Sequence, residues 1–568
     1  MPHSHSFFSI RRKKLHFRRR KLATLSNPLP SKPSKKETSQ NSQEVPSTPL
    51  SKTSKQPSVT WTHGLVTPPP RIDLLKSMTD KKDGITPIRG YFAPNRKAFY
   101  SPSLPNTGGN AKAQHGLKVL HNLKKQFAET TKFMPDNIWM VFLQHAFPST
   151  ASLLVSFIEL GINPKHMYFT DKVYSTTQSG RQQILAILGE HNTLFLSPPA
   201  KPWLYGEHLQ KNIAALWERI IADIDKATIK PNKIILIGDG GRLFVVPTEL
   251  LKYPVYGTEQ TMHGQRFVEA LNPPFLWNSV AICDMKRLED ALIGAQAAQC
   301  VEEVLSKLSK NIDLKNMRFG IIGLGNIGKA SAQALINKGC TVFFYDPDAS
   351  RTLDKATKCQ RLAELIVNCN FIIGCTGKDA LKDTLEKTKG FHIILENKFF
   401  MSMSSEAIEF AAFMQQYQNE AQNMREYEDC ILSMHEQEFP IFPDLRYMIE
   451  GHTVTIINAG YPVNLQHDMD PRDIAITRAA LFGAGAQWIY RIPQKEDNQP
   501  GAGTKSTAFE QSYQDSGISL WQKFRKQKDR PKDKKDLPSK SKQNKPSLVP
   551  VLMAAKQTQS SVIKKLVF

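Results

Sequence analysis

The chain has 568 residues, of which 40% are hydrophobic, so two or three domains with substantial cores are expected. This content excludes a wholly disordered protein, and no stretch approaches the ~20 consecutive apolar residues that a membrane-spanning helix needs. The seven cysteines form no C-x-x-C pair, which argues against a disulfide scaffold or a zinc module and for a reducing compartment.

The net charge of +23 is concentrated at the two ends of the chain, because residues 71–520 carry almost equal numbers of acidic and basic side chains. Residues 1–70 and 496–568 are rich in Ser, Pro and Lys, so we predict disordered basic tails that could contact polyanions or acidic partners. The run RRKKLHFRRRK at residues 11–21 could be a nuclear signal, a membrane-surface patch or part of a transit peptide, although a solvated tail fits it equally well. Unless this basic run directs the protein to the nucleus or to another compartment, we expect the protein to be cytoplasmic.

Between these tails, short apolar runs alternate with amphipathic segments, a pattern that is typical of the α/β fold class. Strands are predicted at 138–144, 233–239, 317–323, 340–346, 370–376 and 452–458. Helices are predicted at 150–160, 207–224, 288–309, 327–338 and 472–488.

A glycine motif, G-x-G-x-x-G, follows one predicted strand and opens a helix in MRFGIIGLGNIGKASAQALINKGCTVFFYD. The first glycine permits a tight turn, the second lets the backbone approach a pyrophosphate, and the third allows close contact of helix and strand. The next strand ends in Asp346, whose carboxylate can bind ribose hydroxyls and would repel the 2′-phosphate of NADP. We therefore predict a Rossmann-type NAD-binding domain. Its cofactor-binding residues in this segment are Gly323, Gly325, Asn326, Ile327, Gly328 and Asp346.

The segment GIIGLGNIGKA followed by YDP is similar to the D-2-hydroxyacid dehydrogenases. That family has an Arg, a Glu and a His downstream of its nucleotide domain. The downstream stretch here offers only His435, His452 and His467, without an Arg–Glu–His series. This family is therefore the less favoured hypothesis from the sequence.

Five segments, spread over residues 130–490, together resemble adenosylhomocysteinase, the NAD-dependent S-adenosylhomocysteine hydrolase. They are VFLQHAFPSTASLLVSFIELG, IILIGDGGRL, GTEQTMHG, VAICDMKRLEDALIG and HTVTIINAGYPVNLQHDM, and they stand in the family's order. The positions that match the family's functional residues are His145, Asp239, Thr261, Lys286, Asp290 and Asn464.

The resemblance implies NAD-dependent 3′-oxidation and hydrolysis of S-adenosylhomocysteine or of a related nucleoside thioether. It implies that Lys286, tuned by Asp290, takes the hydroxyl proton. Asp239 would act as a base at the 4′ carbon, and His145 would serve the leaving sulfur or the water. The spacing of Lys286 and Asp290 also places them on one helical face, where an ordinary ion pair is the alternative. Further implied cofactor contacts are Thr261, Thr376 and Asn464.

The resemblance also implies two lobes with the active cleft between them. The substrate domain would comprise residues 85–294 with 470–495 returning to it, and the NAD-binding domain would comprise 295–469. The small-molecule substrate would be of nucleoside type, and a homo-oligomer is possible.

Several residues depart from the adenosylhomocysteinase pattern. Gln260 replaces a Glu, Ala291 and Ala295 replace an Asn and a Cys, and Phe400 stands where a His is expected. Three hypotheses therefore stay open. We favour an NAD-dependent hydrolase with an altered substrate over a non-catalytic NAD-binding protein acting in regulation or interaction, and over a D-2-hydroxyacid dehydrogenase-like oxidoreductase.

Overall fold

The computed structural model describes residues 137–308, 313–388, 397–404, 406–433, 441–464 and 471–491, together with 514–515, 517–519 and 522. All of them belong to one compact unit, residues 72–568. The predicted tail at 1–70 and its basic run lie outside the described residues. Within the described ranges, no helix is long and apolar enough to cross a membrane.

The first half of the described chain forms a six-stranded parallel sheet in the order β3-β2-β1-β4-β5-β6. Its strands are β1 (Ile138–Gln144), β2 (Met167–Asp171), β3 (Thr193–Leu194), β4 (Lys233–Gly238), β5 (Val255–Glu259) and β6 (Leu276–Ser279). Every residue of β1, β2, β4 and β5 is buried, as expected for a parallel sheet that is covered on both faces. The helices of this lobe are α1 (Pro148–Glu159), α2 (Gln178–Leu188), α3 (Tyr205–Lys226) and α4 (Met262–Leu271).

The second half forms a seven-stranded sheet in the order β12-β13-β11-β10-β7-β8-β9. Its strands are β7 (Arg318–Ile322), β8 (Thr341–Tyr345), β9 (Ala356–Lys358), β10 (Phe371–Gly374), β11 (Lys398–Ser402), β12 (Leu445–Ile449) and β13 (His452–Ile456). All neighbours are parallel except β12 and β13 at one edge. The predicted α/β class, with a Rossmann-type domain and a second α/β domain, is confirmed.

Seven further helices follow α4 along the chain. They are α5 (Asp284–Leu308), α6 (Asn326–Asn337), α7 (Leu362–Asn368), α8 (Lys382–Thr388), α9 (Ala411–Gln416), α10 (Met424–Ser433) and α11 (Pro471–Tyr490). Helix α5 packs tightly on α6, because a Cβ at Gly294 would lie 2.4 Å from the backbone of Ala330. Helix α11 packs on the first sheet, where the indole N–H of Trp488 donates to the carbonyl oxygen of Gly257 at 3.1 Å.

Lys233 joins the end of α11 to the first sheet. Its fully buried Nζ donates to the carbonyl oxygens of Trp488 and Ile489 at 3.0 and 3.1 Å, and to that of Arg491. The last carbonyls of a helix have no partner within the helix, so this ammonium satisfies them. Lys233→Met should lower the free energy of unfolding by about 2 kcal/mol or more, because hydrogen bonds to charged groups contribute ~1.5–3 kcal/mol.

Lys230→Met is the matched control. Lys230 Nζ donates to the carbonyl oxygens of Ile224 and Asp225 at the end of α3, but in an exposed position. Its loss should cost less than about 1 kcal/mol, since water can replace the ammonium. Urea denaturation measures both variants, and equal losses would contradict the capping role of Lys233.

Within the predicted tail from residue 496 onward, the structure describes a short helical segment. Residues 514–515 and 517–519 are helical, and Gln514 is buried. The segment docks because Ile518 packs against the apolar cluster of the first lobe and Gln514 hydrogen-bonds to Asp284. The strongly basic part of the tail, from residue 523 onward, lies outside the described residues.

Candidate active site

Doubly wound sheets bind ligands at the carboxyl edge, where the strand order reverses. In the first sheet this point lies between β1 and β4, which end next to His145 and Asp239. In the second sheet it lies between β7 and β10, which end next to Gly323 and Cys375. The side chains that follow these strand ends form the candidate site.

The glycine loop after β7 has the geometry that a dinucleotide needs. Gly323 has a φ of 88°, which glycine adopts without strain. A Cβ at Gly328 would lie 1.9 Å from the carbonyl oxygen of Gly323, so only glycine lets α6 begin this close to the turn. A Cβ at Gly325 would meet no heavy atom within 4 Å, which leaves room for a pyrophosphate at the N-terminus of α6.

The neighbouring strand ends complete this side of the site. Asp346 accepts a hydrogen bond from a backbone N–H of the glycine loop at 2.6 Å. The buried Glu409 accepts from the N–H groups of Thr376 and Gly377 at 2.6 and 2.8 Å, and this arrangement fixes the turn after β10. Asn464 is buried, and its Oδ1 has no hydrogen-bond partner in the described part of the protein, so it can accept from a ligand. The residues present therefore fit a bound dinucleotide.

Lys286 lies in the first turn of α5, and its ammonium contacts the carboxylate of Glu289. Asp290 acts on Lys286 through its charge, which raises the pKa of the lysine and partly offsets the lowering caused by burial. Both i,i+3 and i,i+4 neighbours are within reach on a helix, and Glu289 is the one that makes the direct contact.

A buried charge cluster occupies the carboxyl edge of the first sheet. His145 Nε2 lies 3.0 Å from one oxygen of Asp239, and Lys172 Nζ donates to the other at 2.5 Å. The second ring nitrogen of His145 lies 2.5 Å from the hydroxyl oxygen of Ser175. Burial alone would raise the pKa of Asp239, but Lys172 and His145 hold it well below its usual range. Burial lowers the pKa of His145, which favours the neutral ring.

Glu259 at the end of β5 organises the turn that carries Asp239. Its carboxylate accepts from the N–H groups of Gly240, Gly241 and Thr261 at 2.8–3.0 Å. Burial raises the pKa of Glu259 to about 7 despite these donors. The hydroxyl of Thr261 donates to Glu259 and accepts from Gly264, so it caps α4.

Arg242 and Glu406 connect the two sheets across the cleft. Arg242 Nη2 lies 3.2 Å from a carboxylate oxygen of Glu406, whose side chain is buried. On one side of this pair lies a pocket of about 560 Å³, lined in part by Trp203, Tyr205 and Lys211. The strand ends of both lobes are therefore held close together by an ion pair.

Arg478 on α11 is the largest buried cation of the site, with 1% of its surface exposed. Its Nη1 donates to the side-chain oxygen of Gln144 at 2.6 Å. Nη2 is buried and has no hydrogen-bond partner among the described residues. Arg478 is close enough to Lys286 and His145 for its charge to lower the pKa of both groups. An unpaired guanidinium nitrogen in this position can bind an anionic oxygen.

The glycine loop, α6 and most of α5 lie in a segment that is similar to a known protein family. Residues 286–404 match the D-isomer specific 2-hydroxyacid dehydrogenase, NAD binding domain. The match covers about a fifth of the chain, and it includes the glycine loop and Asp346. The chain therefore contains a Rossmann-type NAD-binding domain, and its cofactor is NAD.

The chain is also similar to two uncharacterized proteins of Mycobacterium tuberculosis, one from each of two strains. Each is 24% identical over 357 residues, which are 61% of this chain and 64% of the relative. The match thus spans less than two thirds of these relatives.

Solved structures of NAD complexes are similar at a lower level. The 3-phosphoglycerate dehydrogenase of Entamoeba histolytica is 12% identical, with a TM-score of 0.32, over 62% of this chain and 94% of that one. The formate dehydrogenase of Staphylococcus aureus is also 12% identical, with a TM-score of 0.29, over 63% and 98%. Structural similarity at this level gives no information about the residues of the site.

The assignment to adenosylhomocysteinase is wrong, because the matching family model is that of the D-2-hydroxyacid dehydrogenase NAD-binding domain. The inferred hydrolysis of S-adenosylhomocysteine is withdrawn with it. The fold explains part of the misleading resemblance. Gly240 and Gly241 have φ angles of 97° and 81°, so a tight turn after β4 needs glycines here in any protein with this backbone. Phe400 lies in the core of the second lobe, stacked near Phe413, and lines no part of the site.

The structure brings the predicted residues Lys286 and His145 each within electrostatic reach of Asp239. Asn326 and Ile327 stand at the start of α6 beside the glycine loop. The sequence reasoning missed several charged residues of the site. They are Lys172, Arg242, Glu259, Glu406, Glu409 and Arg478. Lys172 follows β2 and Glu259 ends β5, two strands that were not among those predicted from the sequence.

Gly325→Val should abolish NAD binding without unfolding the protein. The valine side chain would occupy the open space over the loop, and Gly325 has a φ of −70°, which any residue can adopt. Isothermal titration with NAD should show affinity reduced by at least roughly 100-fold, while the melting temperature of the free protein changes little.

Gly328→Ala is the contrasting variant. Its Cβ would clash with the carbonyl oxygen of Gly323, so this smaller change should lower the melting temperature markedly. Gly325→Val protein that binds NAD as tightly as the wild type would contradict the placement of the cofactor.

Proposed function

We propose that the protein is an NAD-dependent oxidoreductase that interconverts a hydroxy acid and the corresponding oxo acid. The observation that carries this proposal is the convergence of Lys286 and the unpaired Nη2 of Arg478 beside the NAD-binding domain. The matched family model supports the same reaction class for residues 286–404.

Lys286 is suited to carry the proton of the substrate hydroxyl. It lies in the first turn of α5, where it contacts the carboxylate of Glu289 and feels the charge of Asp290. Burial lowers the pKa of Lys286, although Asp290 partly opposes this effect. A lysine with a lowered pKa can act as a general base near neutral pH. When bound, NAD supplies the hydride acceptor for the oxidation.

Arg478 is suited to hold the acid group of the substrate. Because Lys172 and His145 already pair with the buried carboxylate of Asp239, the charge of Arg478 stays available for an incoming anion. The free Nη2, beside the bond from Nη1 to Gln144, can donate to one carboxylate oxygen. A buried donor without a partner costs free energy. A bound carboxylate would remove this cost by accepting a charge-assisted hydrogen bond from Nη2.

The experiment is a panel assay of the purified full-length protein with NADH and 2-oxo acids of increasing side-chain size. We expect NADH oxidation with at least one acid and little reaction with the corresponding neutral ketones. The D and L hydroxy acids with NAD test the reverse direction. Oxidation of neutral ketones alone would contradict the assignment of an acid substrate.

A further inference from the structure

The chain beyond α11 returns to the start of α5. The side-chain oxygen of Gln514 accepts a hydrogen bond from the backbone N–H of Asp284 at 2.9 Å. Gln514 is only 6% exposed. Ile518 packs against the apolar cluster that contains Cys283 and Met285, the residues on either side of this amide.

This hydrogen bond satisfies a backbone N–H group at the start of α5. The first N–H groups of a helix have no partner within the helix and need an acceptor from elsewhere. An acceptor usually comes from the residue just before the helix. For α5 it comes from a residue 230 positions later in the chain. The first turn of α5, which includes Lys286, is therefore stabilised by a segment that is distant in the sequence.

We propose that Gln514 is a positioning residue, and that residues 514–515 and 517–519 dock on the start of α5 to hold the turn that carries Lys286. The inference rests on the proposed function for the role of Lys286, but the docking itself can be measured without any substrate.

Loosening this turn would change the surroundings of the Lys286 amine. The charged and titratable groups that act on it come from several elements. They are Cys283, which precedes α5, Glu289 and Asp290 on α5, Asp239 after β4 and Arg478 on α11. Burial is the main reason for the low pKa of Lys286, so greater access of water would return the pKa towards its usual, higher value.

The test uses Gln514→Met in the full-length protein, since methionine keeps the shape and removes the acceptor. Hydrogen–deuterium exchange at residues 284–287 should become roughly fivefold faster, the equivalent of one lost hydrogen bond. NMR titration of ¹³C-methylated lysines, with the Lys286 signal assigned from Lys286→Met, should show its pKa raised by roughly half a unit or more. Gln514→Glu keeps an oxygen acceptor and should restore slow exchange.

Gln522→Met is the matched control, because Gln522 is exposed in the same segment and should alter neither readout. Unchanged exchange and an unchanged Lys286 titration in Gln514→Met would overturn the proposal. If Gln514→Met does not fold, hydrogen exchange of the wild-type protein provides the test. Backbone amides of residues 517–519 that exchange at the rate of an unprotected peptide would also overturn the proposal. Shifts of both readouts in a protein that turns over no hydroxy acid would support the docking and refute the proposed function.

Discussion

Replacing Lys286 by methionine should reduce the rate of hydroxy-acid oxidation by roughly 10²–10⁴-fold while leaving NAD binding nearly intact. The reason is that the substrate hydroxyl would lose its proton acceptor, whereas the glycine loop would be unchanged. Single-turnover mixing of the NAD-loaded variant with the hydroxy acid measures the rate, and titration with NAD measures binding.

The pH dependence provides a second check on Lys286. Oxidation needs the neutral amine, so its rate should rise as the pH increases through the lowered pKa of Lys286. Reduction of the oxo acid needs the ammonium and should fall over the same range. Lys338→Met removes an exposed lysine that pairs with Glu302 and should change neither profile. A Lys286→Met protein with the wild-type rate and pH profile would exclude Lys286 as the proton carrier.

Arg478→Met should raise the KM for the acid substrate by roughly 30-fold or more, the equivalent of about 2 kcal/mol for a lost buried charge partner. Arg478→Lys should not restore the affinity, because a lysine cannot donate to Gln144 and to a carboxylate with the same fork geometry. Initial-rate kinetics with the 2-oxo acid and with its neutral amide measure the effect. The penalty should be large for the acid and small for the amide.

Arg219→Met is the control for loss of a guanidinium elsewhere. Arg219 donates to the backbone carbonyl oxygens of His191 and Thr193, away from the cleft. Its loss should leave the KM unchanged. If Arg478→Met impaired acid and amide equally, the guanidinium would have a structural role and would not recognise the acid group.

The cofactor loop could be predicted from the sequence because all of its parts are contiguous. A strand, three glycines, a helix and an acidic strand end follow one another within one βαβ unit. Each glycine has a local reason that the backbone confirms, such as the positive φ of Gly323 and the close approach of Gly328 to that residue.

The substrate side could not be predicted in the same way, because its residues meet only through the strand order. Lys172 and Asp239 are 67 positions apart, yet they touch since β2 and β4 both flank β1. Arg478 reaches the substrate side of the site only because α11 packs back on the first sheet. A side chain on a helix that is buried along most of its length gives no sign in the sequence of which distant strand end it will meet.

The partner of Lys286 shows a similar limit at shorter range. Glu289 and Asp290 are both within reach of its ammonium on one helical face. The ammonium contacts Glu289, whereas Asp290 acts on it through its charge. Local spacing therefore predicted the helix and the charge pair but not the carboxylate that forms it.

The central claim is that hydride passes between NAD and a carbon atom of a hydroxy acid held by Arg478 and Lys286. Transfer of deuterium from C4-deuterated NADH to the acid product, followed by mass spectrometry, tests it most directly. The proposal predicts one deuterium on the former carbonyl carbon of the product with wild-type protein, and none with Lys286→Met within the same time. Protein that retains its bound NADH but transfers no deuterium to any 2-oxo acid of the panel would contradict it.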